Sequence, residues 1–295
     1  MTKVTLELIA SGSSLKRFNK ETLNAYANRI THTTLGGLNI ELLENLNYCH
    51  NLSILYLYDN QITNIQGLDT CINLTRLYLQ NNQIQNIQGL ENLVKLQFLN
   101  LRCNQIQTVQ GLNGLESLEI LHLDKQTLTE NQSLTFEKDC FNNLNNLKSL
   151  TLTFNRIEKI DELRYVTNLE TLDLSNNSIE SIAELDFMLE GLENLQSISV
   201  KQNPLKNLKL RQRMILIGHS LNCINDKEVT DTEREFTVKM SSVKPRKKRE
   251  PSDTSDRIQL DVKPIPHLPP YATQYRDLML QQMQTLAIPK PREDC

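Results

Sequence analysis

From Ile30 onward one spacing of leucines returns every 22 residues, and that interval leaves few folds open to the chain. Ile30, Leu52, Leu74 and Leu96 begin four successive units. In the last three the frame L-x-x-L-x-L-x-x-N-x-I is complete: Leu52, Leu55, Leu57, Asn60, Ile62; Leu74, Leu77, Leu79, Asn82, Ile84; and Leu96, Leu99, Leu101, Asn104, Ile106. Apolar residues then follow at steps of three, as in Ile62, Ile65, Leu68 and Cys71. The alternating stretch has the period of a short strand with one face buried, whereas steps of three suit a 3₁₀ or irregular helical return. A unit of 22 residues cannot cover its own apolar side, so neighbours must stack around one continuous core.

Later units keep the frame with local changes. The fifth, from Leu118, carries Gln126 where asparagine is expected and holds seven extra residues; the sixth begins at Leu147; the seventh, from Leu169, is longer by four. A last strand at Leu195, Ile198 and Val200 meets Asn203-Pro204, where proline ends the pattern. The first unit departs more, with Thr33 at an apolar position and Leu38 in place of asparagine. The expectation is therefore an α/β fold that resembles a leucine-rich repeat solenoid, with a curved parallel sheet on its concave face and 3₁₀ or irregular helical segments on its convex face. Residues 1–29 form an N-terminal cap, 30–203 seven repeats and a terminal strand, 204–240 a C-terminal cap, and 241–295 a mostly disordered tail. Leu208 to Asn225 is helical in pattern, and the run from Leu221 to Arg234 resembles the cap motif of intracellular repeat proteins. The recurring asparagines Asn60, Asn82, Asn104, Asn155, Asn177 and Asn203 are expected to satisfy buried backbone groups, a structural duty. Gly67, Gly89 and Gly111 share one position of the repeat turn.

Composition narrows the function. Residues 1–240 hold 28 acidic and 22 basic side chains, a balance that argues against nucleic-acid binding by the repeats. The tail holds eight of the nine prolines and the basic run Lys244, Arg246, Lys247, Lys248 and Arg249, a candidate contact for tubulin or an import signal. One short helix is expected there, at Tyr271 to Leu286. No long apolar run or leader pattern predicts a membrane span or secretion, so a cytoplasmic monomer with free thiols is expected. Five scattered histidines offer no zinc spacing, and no nucleophile elbow or phosphate loop is present. Neither cofactor, metal nor enzymatic activity is expected.

Binding is instead expected where alternate strand positions face away from the core. Those positions place Ile54, Tyr56, Tyr58, Arg76, Tyr78, Phe98, Arg102, Ile120, His122 and Asp173 on the concave face. Tyrosine also favours strands for its own sake, but aromatic and arginine side chains dominate interface energetics, and here they neighbour one another.

The runs Val4-Thr5-Leu6-Glu7-Leu8-Ile9-Ala10, Asn51 to Asn60 and Leu77-Tyr78-Leu79-Gln80-Asn81-Asn82 resemble the repeat-built regulators of protein phosphatase 1. That resemblance covers about residues 1–240. It implies a non-catalytic regulatory subunit that binds the phosphatase catalytic chain, associates with tubulin and motor proteins, and sits in the cytoskeleton at centrosomes or basal bodies. Lys95-Leu96-Gln97-Phe98 is the nearest approach to a short phosphatase-docking motif, but Leu96 belongs to the repeat core. Docking is therefore expected through the concave face. Two alternatives stay open: a ciliary or axonemal scaffold binding dynein or tubulin, and a nuclear spliceosomal type of repeat protein.

Overall fold

The computed structural model describes residues 2–242. Lys244 to Arg249 and the helix expected at Tyr271 to Leu286 lie outside the described residues. Within them each repeat delivers one three-residue strand whose middle side chain is buried, as in Ile54–Tyr56, Arg76–Tyr78, Phe98–Asn100 and Ile120–His122. These strands, with His32–Thr34 before them and Ser149–Thr151, Thr171–Asp173, Ser197–Ser199 and Cys223–Ile224 after them, form a ten-stranded sheet. All neighbours are parallel except the last pair, where Lys227–Glu228 folds back on Cys223–Ile224. Register follows the repeat, pairing Leu55 with Leu77 and Leu77 with Leu99, and it survives the seven-residue insertion, where Leu121 pairs with Leu150.

The leucines form the expected spine. Leu52, Leu55, Leu57, Leu74, Leu77, Leu79, Leu96, Leu99 and Leu101 are all fully buried, each contributing about 1.5–3 kcal/mol of gross burial free energy. After each strand the chain turns sharply through a left-handed residue, in turn Asp59, Asn81, Cys103, Lys125, Phe154, Asn176 and Gln202. The next residue is the interior amide. Asn82 donates from Nδ2 to the carbonyls of Leu57 and Leu79 and accepts at Oδ1 from the amide of Ile62; Asn104 repeats this with Leu79, Leu101 and Ile84. Each amide so ties its own turn to the preceding repeat. Gln126 is no departure in chemistry, because its longer amide reaches Leu101, Leu123 and Ile106 in the same way.

On the return side the chain of one repeat passes so close to the next that no side chain fits. A Cβ on Gly89 would lie 2.3 Å from the carbonyl oxygen of Ile65, and one on Gly111 2.1 Å from that of Ile87; both glycines also have positive φ. Two returns contain 3₁₀ helix, Leu46–Tyr48 and Asp161–Tyr165. The four extra residues of the seventh unit convert its return into an α-helix, Ile182–Gly191, with Ser181 accepting from the amide of Glu184 at its N-cap. The insertion of the fifth unit places Thr135–Phe136 beside Thr108–Val109 as a small parallel sheet.

Both ends of the sheet are covered. Helices Leu6–Ser11 and Leu23–Arg29 close the first repeat, each capped by a threonine, and Thr33 is buried because its hydroxyl donates to the carbonyl of Ile9. At the other end the helical pattern of 208–225 resolves into a shorter helix, Leu210–Ile217, and a strand, Cys223–Ile224. Gly218 and the turn after it return the chain to the sheet edge, where pairing with Ser197–Ser199 outweighs continued helix. A final helix, Asp231–Ser242, runs beyond residue 240. Arg211 joins these pieces, with bidentate contact to Glu233 and donation to the carbonyls of Ile224 and Glu228. Among the described residues no helix is long and apolar enough to cross a membrane.

Candidate protein-binding site

Alternation within the strands sends Leu55, Leu77 and Leu99 into the core, so Tyr56, Tyr78 and Asn100 stand on the opposite, open face of the sheet. Parallel strands lie about 4.8 Å apart, and rings rooted at one register stack at that interval. Tyr56 and Tyr78 have centroids 4.6 Å apart with planes 19° from parallel. Asn100 interrupts this row, and the stack steps diagonally to Phe98, 4.7 Å from Tyr78. His122 meets Phe98 edge-on at 5.4 Å, and Tyr58 closes the other end, 6.3 Å from Tyr56. Tyr58 is admitted by Gly36, where a Cβ would lie 2.5 Å from its ring.

Five of the ten side chains expected to bind are thus one continuous aromatic stack. Ile54, Arg76, Phe98 and Ile120 align across adjacent strands along one side of it. Arg102 lies on the other side, exposed like Arg76. Between Tyr58 and Arg102 in that outer row, Gln80 has its Oε1 occluded without a hydrogen-bond partner. Asp173 is not part of this group. It lies two strands beyond His122, where its carboxylate accepts from the amide and hydroxyl of Ser175.

The stack ends in a polar network that strand alternation does not reveal. Asp124 accepts from Thr151 Oγ1 at 2.6 Å and from both the amide and hydroxyl of Thr153 at 2.9 Å. Because Thr151 gives its only proton to Asp124, its 2.7 Å contact with His122 Nδ1 requires that nitrogen to carry the hydrogen. Burial holds the His122 pKa below its ordinary value, Asp124 opposes that shift, and Arg102 reinforces it. The ring is therefore neutral near pH 7 and its Nε2 is a bare acceptor. Beyond it, Phe154 is half exposed at φ 58°, a conformation unfavourable for a bulky residue, with Lys125 Nζ 5.0 Å from its ring centre.

Two buried thiols of the repeat core offer no comparable chemistry. Cys49 and Cys71 are free, fully buried, and held as thiols, with desolvation pushing their pKa values up to about 11 and about 12.

Two leucine-rich repeat family profiles match the chain. One, for paired repeats, matches residues 50–92 and again 72–114; the other matches residues 122–250. The chain belongs to the leucine-rich repeat proteins. Among solved structures, the internalin InlF of Listeria monocytogenes str. 4b F2365 is similar at 25% identity and a TM-score of 0.57, over 71% of this chain and 59% of that one. Internalin C2 of the same organism is similar at 23% identity and a TM-score of 0.60, over 74% and 90%. A leucine-rich repeat protein of Leptospira interrogans is similar at 24% identity and a TM-score of 0.57, over 68% and 50%. This leucine-rich repeat protein thus spans only 59% of the InlF chain and 50% of the Leptospira chain. The repeat fold is that of an interaction scaffold. Its open sheet face is the surface on which this chain concentrates aromatic side chains.

Proposed function

We propose that this leucine-rich repeat protein is a non-catalytic adaptor whose open sheet face holds a protein partner. The observation that carries the reading is the stack from Tyr58 to His122, because a row of half-buried rings on a solvent-facing sheet has no packing duty toward the core. Such rings are preorganised and lose little entropy on binding.

More narrowly, the partner is the catalytic subunit of protein phosphatase 1, in a complex associated with microtubules and the centrosome. This rests on the resemblance to protein phosphatase 1 regulatory subunit 42, the testis leucine-rich repeat protein. The resemblance is carried by Val4 to Ala10, Asn51 to Asn60 and Leu77 to Asn82, and the last two runs supply Tyr56, Tyr58 and Tyr78. Leu96 is fully buried, so Lys95-Leu96-Gln97-Phe98 does not present itself as a docking peptide and contact falls to the open face. Titration calorimetry of the full chain against purified phosphatase catalytic subunit tests this. The expected result is a stoichiometric complex lost on replacing Tyr56, Tyr78 and Phe98 by alanine. Absence of binding by the unsubstituted chain would remove the phosphatase and leave the adaptor with another partner.

A further inference from the structure

The open face sets exposed guanidinium groups beside an apolar, aromatic floor. Rings stacked from strand to strand stand upright, so their edges, where the aromatic quadrupole is positive, point to solvent. The hydroxyls of Tyr56, Tyr58 and Tyr78 make no hydrogen bond among the described residues, and Arg76 and Arg102 have no carboxylate partner there. The carboxylates of the same face already accept hydrogen bonds from neutral groups of the fold. Asp59 accepts from Asn81 Nδ2, Asp124 from Thr151 and Thr153, and Asp173 from Ser175. What faces a ligand is an apolar floor of Ile54 and Phe98, the hydroxyls of three tyrosines and the guanidinium groups of Arg76 and Arg102, with His122 Nε2 as an acceptor at the far end.

On the reading that this face binds protein, we propose that it recognises an acidic, extended peptide segment with a large apolar side chain between its carboxylates. The apolar group would rest against Ile54, Phe98 and the ring edges, and the carboxylates would form paired hydrogen bonds with Arg76 and Arg102. Arg76 and Arg102 stand four strand positions apart in register, about 13 Å along the strand direction at 3.3 Å per residue. That separation equals about four residues of extended ligand. Single-stranded nucleic acid also uses aromatic and arginine side chains, but it stacks its bases on free ring faces. Here the faces of Tyr56, Tyr78 and Phe98 are turned to one another.

Fluorescence anisotropy on the full chain tests the proposal. The probes are dye-labelled Glu-Glu-Phe-Glu-Glu, the same peptide with alanine for phenylalanine, the same with lysine for glutamate, and oligothymidylate. The acidic aromatic peptide is expected to bind about tenfold tighter than any other probe, and Arg76→Gln and Arg102→Gln each to weaken it about tenfold. Added salt should narrow both differences. Neither arginine side chain holds the fold, so circular dichroism of both variants is expected to be unchanged. Equal or tighter binding of the lysine peptide, the alanine peptide or the oligonucleotide overturns the proposal, as does no binding of the acidic aromatic peptide or no effect of the arginine variants. If that happens while alanine at Tyr56, Tyr78 and Phe98 still abolishes capture of a cellular partner, the ligand class is wrong and the binding face stands. If the triple variant captures as before, the face itself is refuted.

Discussion

Asn104 accepts from the amide of Ile84 and is one of two donors to each of the carbonyls of Leu79 and Leu101 while fully buried, so deleting its amide orphans the Ile84 N–H and leaves each carbonyl with only the donor from Asn82 or Gln126. Asn104→Ala should cost about 2–4 kcal/mol in urea unfolding, and a cost near zero would show that the ladder is ornamental. This column was readable from the sequence because a polar residue at a fixed step inside an apolar frame has few other uses. Gln126 was not, since a one-letter frame records a mismatch where the chemistry is one methylene longer. His122 gives a second test at this scale. Its pKa in the folded chain lies below 6.5 because burial disfavours the imidazolium, so the unfolded chain takes up the proton first and acidification favours unfolding. Stability present above about pH 6.5 should fall as pH drops through the sixes, and His122→Gln should flatten that decline. Glu21 and Glu233, held below the usual carboxylate range by hydrogen bonds from Arg29 and Arg211, lose their contribution only at lower pH. Identical pH profiles for both proteins would contradict the assignment.

The repeat turn sets the spacing of whole elements. Gly89 combines φ +71° with a backbone carbonyl 2.3 Å from any Cβ, whereas Gly37 has φ +69° and nothing within 4 Å. Gly37→Ala is therefore expected to cost only the conformational penalty, about 1 kcal/mol, and Gly89→Ala at least about 2–3 kcal/mol because adjacent repeats must separate. Thermal melts of the two variants check the order, and equal losses would mean that inter-repeat distance is not fixed there. Strands were legible because leucine at alternate positions implies one face, and the return because its apolar residues step by three. The stack itself was only half legible. Strand position places Tyr56 and Tyr78 in one row but assigns Phe98 to another, and only ring directions show that it fills the gap at Asn100. The Asp124, Thr151 and His122 network spans the seven-residue insertion, so no fixed interval announces it. The strand Cys223–Ile224 carries no signal of its own within the helical pattern of 208–225, because two residues are too few to display a period.

For the molecule as a whole, an open stack of repeats depends on its ends. Arg211 contacts the final helix through Glu233 and the terminal hairpin through Ile224 and Glu228. Arg211→Met should lower stability by at least about 2 kcal/mol and raise hydrogen exchange first in Cys223–Ile224; uniform protection along the array would argue against a separate cap. With the ends closed and the leucines interior, the described residues gather five ring side chains on the open sheet face without serving the core. The most direct test is affinity capture from cell extract with the full chain, unsubstituted and with alanine at Tyr56, Tyr78 and Phe98, followed by mass spectrometry and with circular dichroism as the control on folding. The account predicts an unchanged spectrum and loss of the principal partner; the same partner captured in the same amount by a folded triple variant would contradict it.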